Sequence, residues 1–203
     1  RTVKAMNLRH VVITSVDRDD IKNDYGAEIW AETIEQIRIQ APECTIEVLT
    51  PDFRNYASAL EEVFKAEPDI FSHNIECVER ISRQVRPQSD WNRSLSVLQA
   101  SIEWGLKTKT GMMVGLGEND SEVLETMQKI AELGITIFNI GQYLQPTLNH
   151  LPVQRFVHPD IFKMYKERGL EMGFRVVESG PLVRSSYHAD EQVKRLAQLS
   201  VGN

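Results

Sequence analysis

The sequence predicts an α/β protein built on a parallel sheet. Short apolar runs alternate with helix-period segments along all 203 residues, the pattern of successive βα units. No low-complexity linker, composition shift or solenoid repeat period divides the chain, so one domain over residues 1–203 is expected. Five runs read as strands, beginning near His10, Thr45, Asp69, Lys109 and Ile135. A closed barrel needs about eight, so the reading is a partial barrel. Arg1 to Arg9 reads as the tail of a helix entering a strand, with no starting methionine. The chain is therefore expected to be a fragment whose first strand lies ahead of it.

The helices follow from apolar spacing. Ile29, Trp30, Thr33, Ile34 and Ile37 form one stripe, with Glu28, Glu32, Glu35 and Arg38 largely on the other face. Leu95, Leu98 and Ile102 form a second stripe that stops at Gly105. Val123, Leu124, Met127, Ile130 and Ala131 form a third, with Asp120 or Ser121 able to cap its start and Gly134 able to end it. Pro159 suits the first turn of the last long helix, whose face includes Phe162 and Tyr165 and which Gly173 ends before Phe174 to Val177.

Composition narrows the function. Net charge is −6 with no basic stripe, which argues against nucleic acid as a partner, because phosphate neutralisation needs clustered Lys and Arg. The charged stretch Glu61, Glu62, Lys65, Glu67 reads as a solvated helix face. No apolar run is long enough to span a bilayer, and no signal peptide is expected. The two cysteines, Cys44 and Cys77, give no disulfide framework and are too few for an iron–sulfur cluster, which normally takes three or four thiolates. Both read as buried small hydrophobes, and a reducing cytoplasm fits best.

In parallel α/β architectures the site gathers at the carboxyl ends of the strands. After the first strand come Thr14, Ser15, Asp17, Arg18, Asp19 and Asp20, which could bind a zwitterion or a metal, or simply cap the next helix. The loop Ser72-His-Asn-Ile-Glu76 offers an amide and a carboxylate two residues apart, able to serve adjacent ribose hydroxyls as donor and acceptor. His73 reads as a hydrogen-bonded structural histidine. Gly111-Met-Met-Val-Gly-Leu-Gly-Glu118 lacks the third glycine of a dinucleotide fingerprint. It is either a tight βα turn or a place where a ligand lies against bare backbone at Gly115 and Gly117. Lys107 and Lys109 admit a Schiff-base reading that nothing else supports. Arg184, Ser185 and Ser186 alone would be a solvated serine turn.

Taken with their order, these segments resemble a known family. Val11 to Asp20, Thr45 to Asp52, Ser72 to Glu76, Gly111 to Glu118, Gly141-Gln-Tyr-Leu-Gln-Pro146 and Arg184-Ser-Ser-Tyr-His-Ala-Asp190 are similar to blocks of the lipoyl synthases, in family order and over nearly the whole chain. Lipoyl synthases belong to the radical S-adenosylmethionine enzymes, so the resemblance implies a six-stranded partial TIM-like (β/α) barrel, here with strands two to six. One departure is large: the two cysteine triplets that hold the family's clusters are absent.

The resemblance implies an enzyme with two 4Fe–4S clusters and S-adenosylmethionine. It implies that Asn74, Glu76, Gly115, Gly117 and Glu118 bind the cofactor, with the adenine flat against the glycine strand, and that Ser186 ligates an iron of the auxiliary cluster. The implied reaction inserts two sulfurs at C6 and C8 of a protein-bound octanoyl chain. Implied partners are octanoylated carrier domains of 2-oxoacid dehydrogenases and of glycine cleavage, which Gln142, Tyr143, Gln145 and Pro146 would help to admit, and iron–sulfur delivery proteins. The chain alone would be inactive. The alternatives are another radical S-adenosylmethionine sulfurtransferase, or a non-catalytic barrel remnant that binds a carrier or nucleotide.

Overall fold

The computed structural model describes residues 1–201. A short helix α1 (Thr2–Ala5) leads into β1 (His10–Thr14), then α2 (Ala27–Gln40), β2 (Thr45–Leu49), α3 (Ala57–Lys65) and β3 (Ile70–Ser72). A short α4 (Ser82–Val85) and α5 (Trp91–Glu103) precede β4 (Thr108–Val114), followed by α6 (Asp120–Glu132), β5 (Ile137–Gln142), α7 (Pro159–Glu171), β6 (Val176–Gly180) and α8 (Ala189–Val201). The strands form one open sheet in the order β1-β2-β3-β4-β5-β6, every pair parallel. Each helix between strands is thus a crossover in a singly wound sheet, which gathers all the strand-to-helix loops at one end.

The strand count is corrected from five to six among the described residues. β6 was missed because only Val176 and Val177 in it are apolar before Glu178, Ser179 and Gly180, too short a run to stand out from the end of a helix. The start of α6 is also corrected. Asn119, not Asp120 or Ser121, is its cap: the Asn119 Oδ1 accepts from the Glu122 amide at 3.0 Å while the Glu122 carboxylate accepts from the Asn119 amide at 2.9 Å. The α2 stripe holds at Trp30, Ile34 and Ile37, but Ile29 is exposed.

The two faces of the sheet differ. One is covered by apolar helix faces: Phe138 and Ile140 of β5 pack with Val123, Met127, Ile130, Phe162 and Tyr165, and Ile46, Val48 and Phe71 pack with α2 and α3. The alternate residues face the other way, where Ile70, Ile137 and Val176 receive Leu196 of α8. Register places Gly111, Asn139 and Glu178 side by side on this second face. It also carries a buried ion pair, Lys109 Nζ to Glu47 Oε1 at 2.9 Å. No described helix is long and apolar enough to cross a membrane.

Candidate functional site

Two adjoining cavities open at the carboxyl ends of the strands. The larger, about 430 Å³, lies over β1 to β3 and is lined by Thr14, Asp17, Asp52, Asn74, Glu76, Arg86 and Arg93 among others. The smaller, about 90 Å³, lies over β3 to β6 and is lined by Gly111, Asn139, Gly141, Val183, Arg184 and Ser185. Asn74 and Glu76 belong to both walls. The loop after β3, read from sequence as an amide and carboxylate pair, thus forms the partition between them.

Glu76 reaches that partition by an unusual backbone. Its φ is +69°, a conformation that costs a non-glycine residue about 1 kcal/mol or more and persists where surrounding structure enforces it. The enforcement is visible: the Glu76 amide donates to the Gly111 carbonyl at 3.2 Å and the Glu76 carbonyl accepts from the Met113 amide at 2.8 Å. The Glu76 side chain then meets Arg86 Nη1 at 3.3 Å. Burial raises the Glu76 pKa from its ordinary value, while the Arg86 charge and a hydrogen bond from Asn74 oppose the rise. Arg86 also faces Asp17 at 3.8 Å.

His73 has the structural role expected of it. Its Nδ1 lies 2.9 Å from the Thr50 carbonyl and its Nε2 3.0 Å from Ser94 Oγ. Desolvation lowers its pKa, so the neutral ring donates from Nδ1 to the carbonyl and accepts the Ser94 hydroxyl at Nε2.

Gly115, Gly117 and Glu118 lie elsewhere. Gly115 and Gly117 have φ of +102° and +111°, as a tight turn requires. The buried Glu118 carboxylate accepts from the Gly115 amide at 2.6 Å and the Leu116 amide at 2.9 Å. A Cβ on Gly115 would sit 2.3 Å from Gln142 Nε2 and 2.4 Å from the Arg155 carbonyl. The close approach at Gly115 is therefore made by the last residue of β5 and the loop that follows it. None of the three lines either cavity. The glycines at the smaller cavity are Gly111, whose added Cβ would lie 3.2 Å from Asn74 Oδ1, and Gly141, whose added Cβ would lie 2.2 Å from the Val183 carbonyl.

The segment after β6 crosses this mouth. Ser185 Oγ accepts a 2.8 Å hydrogen bond from Asn74 Nδ2. Ser186 is exposed, with its carbonyl accepting from the Ala189 amide at 3.4 Å. Tyr187 is partly exposed and packs edge-on against His188, ring centroids 4.2 Å apart. The Asn74 and Glu76 partition and the polar, partly open serine segment are therefore brought together across 111 positions of sequence.

Residues 1–130 match the Radical SAM superfamily. The lipoyl synthase of Rubrobacter xylanophilus is 52% identical over 202 residues, 98% of this chain and 63% of the relative. That of Flavobacterium psychrophilum is 50% identical over 194 residues, 95% of this chain and 67% of the relative. The chain belongs to the lipoyl synthase family. It spans about two thirds of the length of these curated relatives. Among solved structures, Streptococcus suis SuiB superposes with a TM-score of 0.68 at 10% identity, over 88% of this chain and 40% of that one. Methylornithine synthase superposes with a TM-score of 0.60 at 12% identity, over 98% of this chain and 70% of that one. At such identities the likeness concerns the fold, a partial TIM-like barrel.

The family's two kinds of cofactor fare differently against these residues. The larger cavity suits a zwitterionic nucleoside such as S-adenosylmethionine: it carries both charge signs, Arg86 and Arg93 against Asp17 and Asp52, and the Asn74 and Glu76 partition. An iron–sulfur cluster does not fit the described residues, among which no three His, Cys, Asp or Glu side chains are placed to hold a metal ion. Cys44 and Cys77 lie in separate apolar cores. Burial raises the Cys44 thiol, and burial followed by the Glu76 and Glu118 charges pushes Cys77 up to about 12, so neither is a ready thiolate.

Sequence reasoning missed Arg86, Asn139 and Gly141. Asn139 carried a signal, an amide inside the apolar run Ile137-Phe-Asn-Ile140, since a buried polar group needs partners. Arg86 carried none that separates it from any arginine before a proline. Lys109 lines neither cavity; its charge is matched by Glu47 inside the barrel.

Proposed function

We propose that this chain is the cofactor-binding barrel of an enzyme that inserts two sulfur atoms at C6 and C8 of a protein-bound octanoyl chain, forming the lipoyl group. The observation that carries the reading is the 2.8 Å bond from Asn74 to Ser185, which joins the expected nucleoside loop to the Arg184-Ser-Ser-Tyr187 segment in one site.

In this reading the larger cavity holds S-adenosylmethionine, and SuiB, a structural neighbour, has been solved with that molecule bound. When bound and reduced, S-adenosylmethionine supplies the means of removing unactivated C–H hydrogens. The chain's own residues bind and orient it. Glu76 accepts from ribose hydroxyls, Asn74 holds Glu76 and Ser185 in register, and Arg86 with Asp17 complements the carboxylate and amine of the methionyl end. Gly115, Gly117 and Glu118 act at one remove, fixing the turn that follows β4. The sulfur source and both 4Fe–4S clusters require cysteines that the described residues do not supply, with Ser186 as this chain's single ligand to the auxiliary cluster. The substrate is an octanoylated carrier domain, of a 2-oxoacid dehydrogenase or of glycine cleavage, whose lysine arm enters at the strand ends past Gln145 and Pro146, with Gln142 and Tyr143 buried beneath them. Iron–sulfur delivery proteins load the clusters.

The test is anaerobic turnover by a cluster-bearing enzyme built on this chain, with an octanoylated carrier domain, S-adenosylmethionine and dithionite. Mass spectrometry should find lipoylated carrier together with 5′-deoxyadenosine. Cleavage of S-adenosylmethionine that never leads to sulfur on the carrier would contradict the assignment.

A further inference from the structure

The Val183 to Tyr187 segment is seated by side-chain amides of the barrel. Asn139, on β5 and buried, donates from Nδ2 to the Arg184 carbonyl at 3.2 Å and to the Ser185 carbonyl at 3.0 Å. Its Oδ1 lies 3.4 Å from Nε2 of Gln192, a fully buried residue of α8 that also donates to the Tyr187 carbonyl at 2.8 Å. Two positions along β5, Gly141 leaves room for the Val183 carbonyl, which would lie 2.2 Å from any Cβ there. Asn74 takes the Ser185 hydroxyl from the opposite side. Ser186, by contrast, is exposed. Its position is therefore set by the grip on its neighbours.

We propose that Asn139 is a positioning residue, which with Gln192 fixes the Arg184 to Tyr187 turn over the smaller cavity and so sets where Ser185 and Ser186 stand relative to the Asn74 and Glu76 partition. A carboxamide suits the task because one NH₂ can serve two successive carbonyls while its oxygen accepts from α8. Strand β5 is hydrogen-bonded on both sides, to β4 and to β6, so the turn inherits its coordinates from the barrel floor. The role in the reaction rests on the proposed function above; the anchoring does not.

The two are separated by two readouts on Asn139→Leu and Gln192→Leu. Trypsin cuts after Arg184, which is exposed, and cleavage there tracks how often the turn lifts away. Losing the amide bonds should speed that cut about tenfold or more, while other tryptic sites change little. In a cluster-bearing enzyme the same variants should form less lipoyl product per 5′-deoxyadenosine, by about tenfold. A merely structural defect would lower both products together and leave the ratio unchanged. Unaltered cleavage after Arg184 in both folded variants would overturn the anchoring. Faster cleavage with an unchanged ratio would overturn the positioning role, and a parental yield of lipoyl product from Ser186→Ala in the same assay would assign that failure to the function reading instead. Gln192→Leu, which loosens the turn from α8, keeps the test open should Asn139→Leu not fold.

Discussion

Asn74 Nδ2 donates a 2.8 Å hydrogen bond to Ser185 Oγ, joining the loop after β3 to the segment after β6. The same Asn74 amide favours the charged form of Glu76, which faces Arg86 at 3.3 Å. One carboxamide therefore sits between a carboxylate at the larger cavity and a serine at the smaller.

Glu76→Ala should weaken binding of S-adenosylhomocysteine, the stable stand-in for the nucleoside ligand, by about 1–3 kcal/mol. Titration calorimetry on parental and variant protein reads this directly. Equal affinities would remove Glu76 from the binding residues, and the left-handed backbone there would have to serve the turn alone.

The same carboxylate makes stability depend on pH. Burial raises its folded pKa above the ordinary 4.5, so between those two values the folded state holds more protons than the unfolded state and stability falls as pH rises. Glu76→Gln, which cannot ionise, should therefore gain stability relative to the parent as pH climbs from 4.5 through the raised folded value. Urea midpoints across that range test the sign. A gap that narrows with rising pH would mean that Arg86 and Asn74 outweigh burial.

Lys109 and Glu47 make a separate prediction about the fold. Both side chains are essentially inaccessible, 1% and 0% exposed, and pair at 2.9 Å. Desolvation lowers the Lys109 pKa and raises that of Glu47, each opposed by its partner. Lys109→Met takes the lysine partner from the buried Glu47 carboxylate, leaving it beside the His10 ring with Nε2 at 3.8 Å, and should cost about 3–5 kcal/mol, whereas Glu47→Leu together with Lys109→Met should recover most of that loss. Denaturant unfolding of the two variants tests the difference. Equal destabilisation would show that packing at these positions, not charge, matters.

The cysteines should behave as core residues. With Cys77 pushed up to about 12 and both side chains 1–2% exposed, iodoacetamide at pH 8 should alkylate neither until the chain unfolds. Reconstitution of the 203-residue chain with iron and sulfide should likewise leave far less than one cubane cluster bound. Rapid alkylation, or a near-stoichiometric cluster, would show that a thiol is more available than its surroundings allow.

Much of this was legible because the signals were local. Alternating runs located β1 to β5 within about two residues, and the amide and carboxylate of Asn74 and Glu76 stood out on a short loop. β6 escaped because two valines are a weak signal. Gly115 shows a different limit: the sequence says that a side chain is excluded there, but not whether a ligand or the protein's own Gln142 and Arg155 excludes it. Arg86 gains meaning only from Glu76, ten positions away, and Asn139, flagged by its apolar run, gains its particular role only from Ser185, 46 positions away. Tertiary proximity of that kind leaves no periodic trace.

The lipoyl reading meets its most direct test at Ser186. An alkoxide is a hard ligand and a poorer match than thiolate for cluster iron, so under the proposed function an iron held by Ser186 would be a readily released one. In a cluster-bearing enzyme built on this chain, lipoyl product and 5′-deoxyadenosine are counted together for the parent, Ser185→Ala and Ser186→Ala. The expected result is that Ser186→Ala still cleaves S-adenosylmethionine but makes little lipoyl product, with Ser185→Ala milder. Lipoyl product at the parental rate from Ser186→Ala would contradict the ligand role and leave the Arg184 to Tyr187 turn purely structural.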